Sequence, residues 1–150
     1  MFTHNRGQLR RTYLNAWRRA QDGVPLEPLE RLIVGVIEMH PEYHAALSKP
    51  DAMLERDYSP DSGQTNPFLH MGMHIAILEQ VGANRPVGIA AHYHQLLAML
   101  GDTHEAEHRM MDLLGEMLWE AQRNGRAPDE RQYLHRIASL AVSIRTPSGP

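Results

Sequence analysis

The sequence predicts an all-α fold, a single-domain bundle of about five to seven helices. Nearly every apolar run recurs at three- and four-residue steps, as on one face of an amphipathic helix, and no segment shows the alternation of a strand. Proline, glycine and capping residues separate these runs into helices joined mostly by short loops. A chain of 150 residues is also long enough to bury one core.

The helix boundaries have chemical reasons. Asn66 is a good N-cap with Pro67 at the first helical position, and Asp102 with Glu105 has the form of a capping box. Pro41 interrupts the second helix, after which "PEYHAALS" adds a turn or two. The predicted helices cover about residues 7–20, 28–39, 66–80, 86–100, 102–123 and 128–142.

The remaining segments define the predicted domain limits. The polar stretch 49–65 is the longest predicted loop, with one short helical turn at Ala52 to Arg56. Residues 1–142 are expected to form the helical domain, and residues 143–150, with the ending "RTPSGP", a disordered tail.

Composition excludes several classes of function. Without cysteine the chain has no disulfide and no thiolate metal site. Its longest apolar run, residues 32–37, is too short to span a bilayer, and its start lacks the apolar stretch of a secretory signal, so we expect a cytoplasmic protein without a membrane partner. A net charge of −3 gives no argument for nucleic acid.

The first helix carries a cluster of arginines. We interpret them as a solvated polar face, and contact with RNA or an acidic partner is the alternative. The residues are Arg6, Arg10, Arg11, Arg18 and Arg19.

Six of the ten histidines form pairs spaced by four residues. In a helix this spacing places two side chains on one face, so both imidazoles can reach one ion. Imidazole binds zinc, iron, nickel and copper without a thiolate companion, and separate helices of a bundle can direct their pairs to one centre. We therefore predict a divalent metal site, with zinc or iron as the leading candidates. The predicted ligands are His40, His44, His70, His74, His104 and His108.

The carboxylates near the third pair suggest chemistry at such a site. Metal-activated water would attack a small substrate, with Glu105 or Glu116 handling protons, and redox chemistry at iron is the next option. "HEAEH" formally matches the His-Glu-x-x-His signature of zinc metalloproteases, but it lies in the first turn of its helix and Glu105 has the simpler capping role. Glu105-x-x-His108 is half of a ferritin-like di-iron motif, and the chain contains no second copy.

A contrasting class of function stays open beside the metal-binding one. The histidines of a non-enzymatic interaction protein, such as a homo-oligomer or adaptor, would bond to one another and to backbone carbonyls. The sequence names neither a small-molecule nor a protein partner, and it leaves open whether the chain is an enzyme.

Several blocks of the chain resemble a known family. "HPEYH", "DSGQTNPFLHMGMH", "GDTHEAEH" and "LGEMLWEAQRNG" are similar to a family of small bacterial proteins catalogued as a domain of unknown function, number eighteen forty-one. The likeness extends from "RGQLRRTYLNAW" to "YLHRIASL" and implies one cytoplasmic helical domain without a known reaction. The positions that match the family's motifs are His40, His44, Asn66, Pro67, His70, His74, His104, His108, Glu116 and Trp119.

Overall fold

The computed structural model describes residues 6–49 and 66–145, and within these ranges the chain forms α-helices, a short 3-10 turn and no strand. The predicted all-α class is therefore confirmed. The helices are α1 (Arg6–Gln21), α2 (Pro28–Glu38), α3 (His44–Leu47), α4 (Pro67–Ala83), α5 (Ile89–Leu100), α6 (Thr103–Asn124) and α7 (Glu130–Arg145), with the 3-10 turn at Pro41–Tyr43.

Contacts along the chain divide it into two compact units, residues 1–75 and residues 76–150. The boundary falls inside the continuous helix α4. That the chain behaves as one domain stays a prediction.

In the first unit, α1 packs against α2 and the start of α4 adds aromatic contacts. Asn66 caps α4 as predicted, since its Oδ1 accepts from the backbone N–H groups of Phe68 and Leu69 at 3.0 and 3.2 Å. The Phe68 ring stacks on Tyr13 with centroids 5.7 Å apart. The buried apolar side chains of this unit are Tyr13, Leu14, Ala16, Ile33, Val34, Val36, Ile37, Leu47, Phe68, Met71 and Ile75.

Arg10 departs from the predicted solvated face of the first helix. Only 1% of it is exposed, and its guanidinium lies 4.9 Å from the centre of the Phe68 ring. It sits one turn before Tyr13 on the buried side of α1, where an aromatic face favours a cation. Arg11 and Arg18 are exposed, as the interpretation required.

In the second unit, α5 packs against α6 and α7, and α6 also packs against α7. The long helix α6 has the predicted N-cap, because the Asp102 carboxylate accepts from the N–H groups of His104 and Glu105. It ends at Gly125, whose left-handed backbone suits glycine. The buried apolar side chains here are Ile77, Ile89, Tyr93, Leu96, Ala106, Met110, Met111, Met117, Tyr133, Ile137 and Ala141.

Two predicted boundaries in this unit were wrong. Helix α5 begins at Ile89 instead of Pro86, because Gly88 has φ of 104° and Asn84 Oδ1 accepts from the N–H groups of Gly88 and Ala90. Helix α7 begins at Glu130, after the cap Asp129, and continues to Arg145, so it enters the segment expected as a tail.

Two further predictions fall on the part of the chain outside the described ranges: the helical turn at Ala52 to Arg56 and the disorder of residues 146–150. Among the described residues, no helix has both the length and the apolar character needed to cross a bilayer.

Candidate metal centre

His40 is fully buried and lies between α2 and the 3-10 turn. Pro41 disfavours helical geometry in the residue before it, and His40 has φ −126° and ψ 69°. Its Nδ1 lies 2.8 Å from the Val36 carbonyl oxygen. Because a carbonyl only accepts, Nδ1 carries the hydrogen and Nε2 of the neutral ring carries the lone pair. Metal-ligating histidines are commonly held in this way, by a carbonyl bonded to the other ring nitrogen.

Two histidines of α4 meet His40. His74 is fully buried, and its ring is perpendicular to that of His40 with centroids 5.2 Å apart. One ring nitrogen of each lies within 4.8 Å of the other. The His70 Nε2 lies 3.0 Å from the His40 Nε2, with ring centroids 4.7 Å apart. We call these three residues the histidine cluster.

The spacing of the cluster fits coordination. Imidazoles bound at about 2.0–2.1 Å to one tetrahedral ion have ring centres roughly 5 Å apart. The two centroid distances from His40, 5.2 and 4.7 Å, lie close to this value. His40–His74 and His40–His70 are therefore each spaced as two imidazoles bound to one small ion would be.

Tyr43 supports the cluster and was not identified from the sequence. Its ring stacks on His40 at 5.5 Å and meets the His70 ring edge at 6.1 Å. Burial, and secondly the nearby Glu42 carboxylate, raise the pKa of Tyr43, so its hydroxyl is neutral at ordinary pH. The block "HPEYH" contained this residue, but only the turn after Pro41 places its ring on His40.

The contacts of His44 differ from those of His40, its predicted partner in one pair. Its Nε2 donates to the Ile37 carbonyl at 2.8 Å, and its ring packs against Trp17 with centroids 4.8 Å apart. Since Pro41 ends the regular helix between the two histidines, they do not share one helical face.

The third pair belongs to the second unit. His104 and His108 are half-buried on α6, and their ring centroids are 3.9 Å apart at an angle of 49°. The cap at Asp102 fixes the backbone of this first turn. The two imidazoles thus stand side by side on one face of the helix.

The carboxylates predicted to handle protons are engaged in surface ion pairs. Glu105 pairs with Arg109 at 3.0 Å, and its side chain is 48% exposed. Glu116 pairs with Arg136 at 3.4 Å and is 58% exposed. In a capping box the Glu105 carboxylate would accept from the backbone N–H of Asp102. It instead accepts from Arg109, four residues on. A catalytic role for either residue stays a prediction.

Glu107 is the buried carboxylate of this helix. It is 4% exposed, and it accepts a hydrogen bond of 2.8 Å from the Tyr93 hydroxyl of α5. Burial, with the Glu107 bond in second place, raises the pKa of Tyr93. One feature of the sequence favoured burial of Glu107, namely its position directly after Ala106 on the core face. Its charge, in contrast, favoured the surface.

The fold and the cluster define an all-α protein in which the buried His40 contacts two histidines of α4. The family model described as "Domain of unknown function (DUF1841)" matches residues 5–139. The chain therefore belongs to this family, as its motif blocks indicated. No curated protein and no solved structure matches the chain.

Proposed function

We propose that this protein binds a divalent metal ion, zinc or iron, through its buried histidines. The observation that carries the proposal is His40, a buried imidazole whose Nδ1–H is held by the Val36 carbonyl so that the Nε2 lone pair is directed away from it. A buried ring in this tautomer, with His74 perpendicular to it, is suited to coordination.

The proposed ligands are His40 and His74, the two fully buried histidines of the first unit. Neutral imidazole suits zinc, iron, nickel and copper, whereas calcium and magnesium require oxygen ligands. With these imidazoles bound, the groups in the remaining coordination positions decide the chemistry. Water there would permit hydrolysis of a small substrate, and a side chain there would exclude it.

The test is the metal content of the untagged protein, purified without chelator and measured by mass spectrometry. We expect a near-stoichiometric metal that is lost in His40→Ala and in His74→Ala, with folding checked by circular dichroism. His94→Ala is the matched control, because His94 Nδ1 also bonds a carbonyl four residues back, at 2.9 Å, but the residue is exposed.

Two results would contradict the metal-binding proposal. One is a protein that is metal-free as purified and stays so after addition of zinc or iron. The other is equal loss of metal from the folded His94→Ala control, since binding would then be a property of surface imidazoles.

A second candidate, a non-enzymatic interaction protein, is favoured by exposed apolar side chains. Leu118 and Trp119 of α6 are 45% and 58% exposed, and Val142 of α7 is 57% exposed. Neighbouring exposed apolar side chains of this size can form the contiguous patch by which a protein binds another protein. This role needs no metal.

A further inference from the structure

We propose that the first unit binds a small organic anion, an apolar ring that carries one carboxylate, in a cavity between α1 and α3. The cavity has a volume of about 340 Å³, and all of its lining residues lie within the first unit. Sites for small molecules have volumes of roughly 300–1,000 Å³, so one compact ligand fits. The site is separate from the proposed metal ion, because none of its lining residues belongs to the histidine cluster.

The inner part of the cavity is apolar. Leu14 of α1 and Leu47 of α3 line it and are only 8% and 4% exposed. Trp17 also lines it, half-buried, and its ring packs on His44 with centroids 4.8 Å apart. Since His44 is itself held by the Ile37 carbonyl, the indole rests on a fixed neighbour. Such a wall receives a flat apolar ring without first having to become ordered.

The rim of the cavity is polar and positively charged. The exposed residues on it are Asn15, Arg18, Gln21 and Ser48. Among the described residues that line the cavity none is acidic, and within the described ranges Arg18 forms no ion pair. The exposed Lys49 directly follows Ser48 and adds positive charge nearby. The Arg18 guanidinium and the side-chain amides of Asn15 and Gln21 can therefore donate to a carboxylate.

The two parts of the cavity together select the class of ligand. A phosphate or sulfate ion would use the rim and leave the apolar wall without contacts. A neutral apolar molecule would cover the wall and leave the Arg18 charge unmatched. A ring with one carboxylate uses both, since burial of the ring supplies affinity and the charge fixes the orientation.

The experiment titrates the full-length protein with 2-naphthoate and with 2-naphthamide, a neutral molecule of nearly the same shape. The NMR signal of the Trp17 indole N–H reports binding, and Trp119→Phe assigns it, because the chain has only two tryptophans. We expect naphthoate to shift this signal saturably with a Kd of roughly 1 mM or tighter, as a ligand of this size permits. Naphthamide should bind more weakly.

Two variants test the role of charge. Arg18→Gln should weaken naphthoate binding by about 3- to 5-fold, the effect of an exposed charge pair, and should leave naphthamide binding unchanged. Arg31→Gln is the matched control, because Arg31 is exposed on α2, lies outside the cavity lining and carries the same charge. It should leave the binding of both probes unchanged.

Three results would overturn this proposal. One is a Trp17 signal that neither probe shifts, since the cavity then takes no ring. Another is equal affinity of the wild-type protein for naphthoate and naphthamide, since the rim then selects no anion. The third is an equal loss of naphthoate affinity in Arg31→Gln and Arg18→Gln, since the attraction would then come from the overall charge and not from the rim.

Discussion

Single residues determine what the buried histidines can do. His40 is held by one carbonyl, and this bond alone decides which of its nitrogens carries the lone pair. His44, four residues later, donates its Nε2–H to a different carbonyl and packs on Trp17. Two histidines that look equivalent in the sequence therefore differ in tautomer, burial and neighbours.

At the same scale, the bond between Tyr93 and Glu107 should be measurable as stability. A hydrogen bond to a charged group contributes about 1.5–3 kcal/mol, so Tyr93→Phe should lower the free energy of unfolding by about that amount. Urea denaturation measures the loss. The same substitution in a Glu107→Gln background should cost less, because the acceptor is then neutral. Equal losses in the two backgrounds would show that the negative charge of Glu107 adds nothing to this bond.

Among the elements, the helices begin and end where local chemistry allows. The caps at Asn66 and Asp102 and the glycine after α6 act within a few residues of chain, so they could be read from the sequence. The start of α5 could not be read from the sequence, because it depends on hydrogen bonds from the N–H groups of Gly88 and Ala90 to the more distant Asn84 side chain.

Two helical glycines should respond differently to alanine. A Cβ on Gly35 of α2 would meet no atom within 4 Å, whereas one on Gly72 of α4 would lie 3.3 Å from the Tyr13 hydroxyl oxygen. Alanine in an open helix interior gains about 0.5–1 kcal/mol over glycine, so Gly35→Ala should raise the free energy of unfolding. Gly72→Ala should gain clearly less, because the Tyr13 side chain must move. Equal gains in urea denaturation would contradict this packing.

At the scale of the whole molecule, the exposed apolar side chains predict self-association. We expect light scattering after size-exclusion chromatography to show a homodimer, and Trp119→Ser to shift it towards monomer. Val87→Ser is the control, because Val87 is 78% exposed and lies outside α6. A wild-type protein that is monomeric throughout, or a Val87→Ser variant that dissociates equally, would contradict an interface at Trp119.

The sequence by itself determined the all-α class, most helix limits and the pairing of histidines along the chain. These depend on apolar spacing, caps and prolines, which act over one or two turns. The resemblance in its motif blocks also indicated the family that the match over residues 5–139 shows.

Only the tertiary structure decided which polar groups are buried and what they contact. The His40–His70 contact joins residues 30 apart, Arg10 lies over Phe68 from another helix, and Glu107 is buried against Tyr93. Local spacing gives the face of a helix on which a side chain stands, whereas burial depends on what packs against that face. A charged residue beside a core face is therefore predicted to be exposed until the residue that packs against it is known.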